Sequence, residues 1–176
     1  MYNLSLKEPG YETFLDLSSA THGSIEGHRV QDSVVFPATG YICLAWSHFA
    51  DALGMNMHSA PVVIHNVTLQ NVMFLSKDVP TKLFYTFLAG SGRFEIKNGS
   101  DIIACGTIER GQADTSVTTR TAFLPSRITN EPPTPTTAWL PLSADDVYKE
   151  FRLRELNYSG NFRGIANIDN EGKGSV

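Results

Sequence analysis

The chain has 176 residues, 41% of them hydrophobic and 18% charged, which is the balance of a globular protein with a real core. Its net charge of −4 leaves no basic face for a nucleic-acid backbone. No apolar run approaches the ~20 residues that span a bilayer, and Met1–Lys7 lacks a basic start followed by an apolar core, so neither a membrane span nor a signal peptide is expected.

In chain order, Phe14–Leu17 is a short strand candidate. A polar loop from Ser18 to Gly27 then delivers His28. The apolar triplet Val34-Val35-Phe36 leads into Pro37 and Ala38, which open a helix reading on to about Leu53. Proline suits the first helical turn, where its missing N–H is not needed. Tyr41, Ile42, Leu44, Ala45, Trp46, Phe49, Ala50 and Leu53 give this helix a wide apolar face with hardly a charge, so it is expected to be buried on most sides. Gly54 is its stop. Cys43 and Cys105 lie far apart in apolar stretches and read as buried free thiols, which implies a reducing, cytoplasmic setting.

Strands follow. Pro61–Asn71 is rich in β-branched residues, and Val72–Leu75 extends it or forms a second piece. Lys82–Ala89 puts Leu83, Tyr85, Phe87 and Ala89 on one face. Arg93–Lys97 alternates cleanly, and Asn98-Gly99 is a hairpin signal leading into Asp101–Arg110. One buried helix among antiparallel strands gives an α+β class. Residues 112–141, with Pro125, Pro132, Pro133, Pro135 and Pro141, read as a linker packed in places by Phe123, Leu124 and Trp139. At Ser143-Ala144-Asp145-Asp146 the Ser-x-x-acid pattern starts another helix, expected to end near Leu156 and to carry a Glu150–Arg154 pair. Tyr158–Phe162 reads as a turn, Arg163–Ile168 as the start of a strand, and Asp169 as part of a polar tail.

The chemistry centres on His28. Imidazole can take up a proton near neutral pH, and a helix N-terminus offers free N–H groups to a polarised carbonyl oxygen. On spacing alone, a lone loop histidine is more often a surface or capping residue, and that reading is favoured. For metal binding, His22, His28, His48, His58 and His65 are joined by no convincing acidic or thiol ligand, so no metal site is assigned.

The stretch from His28 to Tyr41 resembles the dehydratase motif of animal fatty acid synthases and polyketide synthases. In that family a His is followed four places on by Gly and five places later by Pro, then commonly by Ala-Thr-Gly-Tyr. His28 and Pro37 match it, Phe36-Pro37-Ala38-Thr39-Gly40-Tyr41 is similar to the animal synthase version, and Asp32 stands at the Gly position. Val147–Arg154 is similar to the opening of the family's second domain, as is the Tyr-x-x-x-Phe spacing of Tyr158 and Phe162, although Ser159-Gly160 replace the family's Gly-Pro.

The resemblance implies a double hotdog, each half an antiparallel sheet wrapped around a helix. Residues 1–111 would be the N-terminal hotdog, 112–141 a linker and 142–176 the truncated start of the C-terminal hotdog. It implies a lyase of fatty acid biosynthesis that dehydrates 3-hydroxyacyl chains to trans-2-enoyl chains on acyl carrier protein. No cofactor would be needed beyond the carrier's phosphopantetheine, and the setting would be a homodimeric, multifunctional synthase. His28 would be the proton acceptor and the Asp32 backbone N–H a thioester-oxygen donor. Pro37, Gly40 and Tyr41 would shape the motif, and Tyr158 and Phe162 would line the acyl tunnel. A carboxylate at Asp32 would oppose developing negative charge unless it points away. The family's proton-donating Asp lies on a later helix. Asp145 and Asp146 are helix-start residues, Asp169 is not assigned, and the isolated chain is expected to be inactive. Its truncated second half is expected to be disordered or aggregation-prone. The alternatives are a non-catalytic hotdog module for acyl binding or dimerisation, which Asp32 favours, and a single-hotdog thioesterase or hydratase, against which the linker and second helix argue.

Overall fold

A computed structural model describes residues 10–111, 141–169 and 174–175. Its elements run β1 (Tyr11–Leu15), a 3-10 helix (Gly23–Gly27), β2 (His28–Val30), β3 (Ser33–Val35), α1 (Ala38–Ala52), a 3-10 turn (Met57–Ser59), β4 (Val62–Leu69), β5 (Phe74–Leu75), β6 (Thr81–Leu88), β7 (Arg93–Asn98) and β8 (Asp101–Arg110). After the undescribed segment come β9 (Pro141–Ser143), α2 (Ala144–Leu153), β10 (Leu156–Tyr158), a 3-10 turn (Gly160–Phe162), β11 (Asn167–Asp169) and β12 (Gly174–Ser175).

The main sheet has five strands in the order β1-β6-β7-β8-β4, all neighbours antiparallel. The period-2 pattern of β6 places Leu83, Tyr85 and Phe87 inward, joined by Phe94 and Ile96 of β7 and by Ala104 and Ile108 of β8. Against them α1 sets Tyr41, Ala45, Phe49 and Ala50, all buried, with Phe49 edge-on to Phe87 at 5.3 Å. Each large apolar side chain removed from water here contributes ~1.5–3 kcal/mol, so this helix–sheet interface dominates the stability of the unit. One antiparallel sheet curled about one helix is the hotdog architecture.

Gly54 (φ 65) follows α1, and Gly99 (φ 61) lies in the two-residue turn between the paired Asn98 and Asp101. Ser143 and Asp146 form a reciprocal capping box on α2, and Glu150 pairs with Arg154 at 2.9 Å.

Several expectations change. Helix α1 is buried on its sheet side only: Ile42 is 37% exposed, Cys43 is exposed, and Leu44, Trp46 and Leu53 are half-buried. A single sheet covers a single face, whatever the composition of the other. Cys105 is likewise half-buried, so neither free cysteine is a core thiol. Residues Phe74 and Leu75 do not extend β4 but cross to a second sheet, ordered β10-β2-β3-β5. Helix α2 ends at Leu153, because Glu155 adopts φ 63. Of the turn expected at Tyr158–Phe162, Tyr158 closes a strand. Only Asn167–Asp169 forms the strand expected from Arg163, and Asp169 lies on it.

The proposed linker lies outside the described residues, except that Pro141 opens β9. Residues 141–169 build α2 and, with 174–175, the sheet β12-β11-β9.

Candidate active site

His28 is not in a loop. It begins β2, where the 3-10 helix ends. Strands β2 and β3 form a hairpin whose two-residue tip is Gln31-Asp32, with φ 49 and φ 61 between the paired Val30 and Ser33. Positive φ at both tip residues is type I′ geometry, which matches the twist of the strands and usually recruits Asn and Gly. Asp is among the side chains that tolerate it. The hairpin then turns into α1 through Phe36 and Pro37. Pro37 is buried and caps the helix from an extended conformation, with Gly40 N–H donating to its carbonyl at 2.9 Å. Among the described residues no side chain caps α1.

The hairpin aims His28 at a carbonyl. Nδ1 lies 2.8 Å from the oxygen of Val35. A carbonyl can only accept, so Nδ1 carries the hydrogen and the neutral ring keeps its lone pair on Nε2. The imidazole is half-buried.

The second face of the site comes from the far end of the sequence. Strand β10 pairs antiparallel with β2, setting Tyr158 opposite His28 and Asn157 opposite Arg29. Tyr158 stacks on the imidazole at 5.1 Å and 16°, and Phe162 approaches at 5.0 Å and 52°. The hairpin tip is tied to the same segment. Gln31 N–H donates to the Glu155 carbonyl at 2.9 Å, and Gln31 Nε2 to Glu155 Oε2 at 2.6 Å. Asn157 Nδ2 donates to Asp32 Oδ1 at 3.3 Å, and Arg29 Nη1 to the Asp32 carbonyl at 2.7 Å. Neighbouring strand residues face opposite ways, so Asn157 lies on the reverse face from Tyr158. Asp32, exposed, therefore holds its carboxylate away from the imidazole.

Gly40 and Tyr41 serve packing. A Cβ on Gly40 would lie 2.5–3.0 Å from the Phe36 ring, so the glycine makes room for it. Tyr41 meets that ring edge-on at 4.7 Å. Its hydroxyl is buried without a partner among the described residues, and burial pushes the phenol up to about 12.

The structure therefore brings His28, Tyr158 and Phe162 together. It puts Pro37, Gly40 and Tyr41 behind them and Asp32 at the hairpin tip. Asp145 and Asp146 stand in the first turn of α2. Sequence reasoning overlooked the Val35 carbonyl, Asn157, Gly27 and Tyr148. The likeness of Val147–Arg154 to the family's second domain covered the last without giving it a role.

Three of the other four histidines have side-chain partners of their own. His22 accepts from the Asp16 N–H at 3.4 Å, His48 shares a hydrogen bond with Thr13 at 2.8 Å, and His65 sits 3.2 Å from Glu109. Among the described residues no three His, Cys, Asp or Glu side chains converge as a metal site, and no helix is long and apolar enough to cross a membrane.

A half-buried imidazole with one nitrogen tied to the backbone and the other free of partners among the described residues, walled by aromatic rings, can abstract a proton from a bound apolar chain. Residues 3–99 match the polyketide synthase dehydratase domain family. Among solved structures, the fold is similar to the dehydratase domain of PpsC from Mycobacterium tuberculosis, in a complex with C12:1-CoA. That match has TM-score 0.64 and 21% identity over 91% of this chain and 52% of that one. It is also similar to the dehydratase domain of the CurF module of curacin polyketide synthase, with TM-score 0.65 and 18% identity over 96% and 59%. A third is a trans-AT polyketide synthase dehydratase domain from Brevibacillus brevis, with TM-score 0.62 and 17% identity over 93% and 60%. The chain spans little more than half the length of these domains. With more than half of its residues inside the family match, and with the helix-wrapped sheet of such domains, the chain belongs to the polyketide synthase dehydratase family.

Proposed function

We propose that this chain supplies the base half of a double-hotdog dehydratase acting on 3-hydroxyacyl thioesters of acyl carrier protein. Nε2 of His28 takes the proton from C2. The C2–H bond breaks, the C2=C3 double bond forms, and the C3–O bond breaks with loss of water. A carboxylic acid from the second hotdog, on a helix this chain does not contain, protonates the departing hydroxyl. The free N–H groups at the start of α1 and the Asp32 N–H stabilise the thioester oxygen as charge builds on it. Tyr158 and Phe162 line the acyl path. The observation that carries this reading is the Nδ1–Val35 hydrogen bond, which leaves Nε2 as the free nitrogen of the neutral ring.

In this reading 1–111 is the first hotdog, 112–141 the linker and 142–176 the opening of the second. The likeness of Phe36–Tyr41 to animal synthases supports a cytoplasmic, homodimeric fatty acid synthase over a polyketide producer. Its other catalytic domains would lie in the same polypeptide, and it would need no cofactor beyond the phosphopantetheine that carries the substrate. The test is conversion of a 3-hydroxyacyl thioester to the trans-2-enoyl product by the full-length protein. His28→Ala should abolish it while the fold survives, and retained conversion would remove His28 from the mechanism.

Asp32 at the family's Gly position motivates the second reading, a non-catalytic module that binds acyl chains or holds a dimer. The tie from its carboxylate to Asn157, on the face away from His28, supports catalysis instead. If the pocket is merely weakened, Asp32→Gly in the full-length protein raises turnover. No gain in a folded variant favours the structural role.

A further inference from the structure

Only the first part of the aromatic wall over His28 is a regular element. Tyr158 ends β10, Phe162 ends a single 3-10 turn, and Arg163–Ala166 belong to no helix or strand. The pairing of β10 with β2 places Tyr158, but Phe162 lies beyond it and stays 5.0 Å from the imidazole only if something else fixes its place. Two residues outside the dehydratase motif do so.

Behind the wall, Tyr148 of α2 is 2% exposed. Its hydroxyl spans the loop, donating to the Phe162 carbonyl at 3.5 Å and accepting the Ile165 N–H at 2.9 Å. Arg163 folds back over the same ring, its guanidinium 4.5 Å from the centroid, and Asp145 holds it there at 2.9 Å. Beneath the wall, the Gly27 carbonyl accepts the Ser159 N–H at 2.9 Å. A Cβ on Gly27 would fall inside contact distance of the Ser159 carbonyl oxygen and 3.2 Å from the Phe162 ring. The chain thus reaches His28 only because residue 27 has no side chain.

We propose that Tyr148 and Gly27 are positioning residues of the site, the first latching Phe162 from behind and the second seating Ser159 and Phe162 from below, so that together they fix the imidazole's aromatic wall. This rests on His28 being the base and specifies how its orientation is kept. Neither residue touches the imidazole through its own side chain. Each acts through the Tyr158–Phe162 segment.

The test is the proton spectrum of the His28 imidazole in Tyr148→Phe and Gly27→Ala. Protons held over an aromatic face resonate upfield. In both variants the His28 ring protons should move downfield, toward an exposed histidine. In Tyr148→Phe the Ile165 amide should also exchange about tenfold faster or more, because its buried acceptor is gone. In the full-length protein both variants should lower kcat more than they raise KM. Unchanged His28 resonances in the folded variants would overturn the proposal. So would failure of Tyr148→Phe to fold, since Tyr148 would then be a residue of the fold rather than of the site. The spectrum reports geometry whether or not a thioester turns over. A shifted spectrum with unchanged turnover would support the positioning and count against His28 as the base.

Discussion

His28 and Tyr158 are register partners on adjacent antiparallel strands, their rings 5.1 Å apart and 16° from parallel. One ring belongs to the segment before the core helix and the other to the segment after α2. The site is therefore composite, and its two faces are joined by backbone pairing rather than by side chains alone.

The first prediction concerns this stack. Tyr158→Leu keeps an apolar residue on β10 and removes the ring that steadies the imidazole. A base displaced by ~1 Å can cost about 10²-fold in rate, so dehydration by the full-length protein should fall toward that extent while circular dichroism is unchanged. Full activity would mean that the stack does not orient the base.

Gly40→Ala tests the packing behind the site. In an ordinary exposed helix this change adds up to about 1 kcal/mol of stability. Here the new methyl would meet the Phe36 ring at 2.5–3.0 Å, and Phe36 is 5% exposed with little room to move. Overpacking should win, with a net loss of about 1–3 kcal/mol in urea denaturation. A gain would show that the ring can yield.

Tyr41→Phe should behave in the opposite way. The hydroxyl has no hydrogen-bond partner among the described residues, so it brings a desolvation cost with no return. Its removal should leave stability unchanged or raise it by about 1 kcal/mol, read in the same denaturation experiment. A loss of stability would reveal a bond to the Tyr41 hydroxyl.

His48 gives the pH dependence. It packs between Tyr11 and Tyr85 and bonds Thr13, and burial lowers its pKa below the ordinary 6.5, against a weaker upward pull from Asp51. The unfolded chain then binds the proton more readily than the folded one. The His48 contribution should be fully present above about pH 6.5, be lost as pH falls from there through the lowered folded value, and level off below it. His48→Gln should flatten this part of the stability profile. An unchanged profile would assign the acid sensitivity to other groups.

Much of this fold is legible in the residues. The alternation of β6, the Asn98-Gly99 turn, the Pro37 start and Gly54 stop of α1, and the Ser143 capping box are local signals, and local geometry obeys them. What escapes the sequence is set by partners far along the chain. His28 reads as a loop residue because β2 has only three residues, and its pairing comes from β10. Cys43 reads as buried because an apolar helix does not say which of its sides meets the sheet. Gln31-Asp32 does not look like a type I′ turn, since neither residue is glycine. The wall around His28 was partly legible, through the Tyr-x-x-x-Phe spacing. The glycine beneath it carries no motif, and the tyrosine behind it stands in Val147–Arg154, a likeness that says nothing of what its hydroxyl binds.

The central claim is that Nε2 of His28 is the free nitrogen of a neutral ring. Nitrogen-15 NMR of the imidazole, at a pH where the ring is uncharged, measures this directly. The structure predicts a hydrogen on Nδ1, tied to the Val35 carbonyl, and a bare Nε2. A hydrogen on Nε2 with Nδ1 bare would contradict it, because the hydrogen bond that orients the base would not exist.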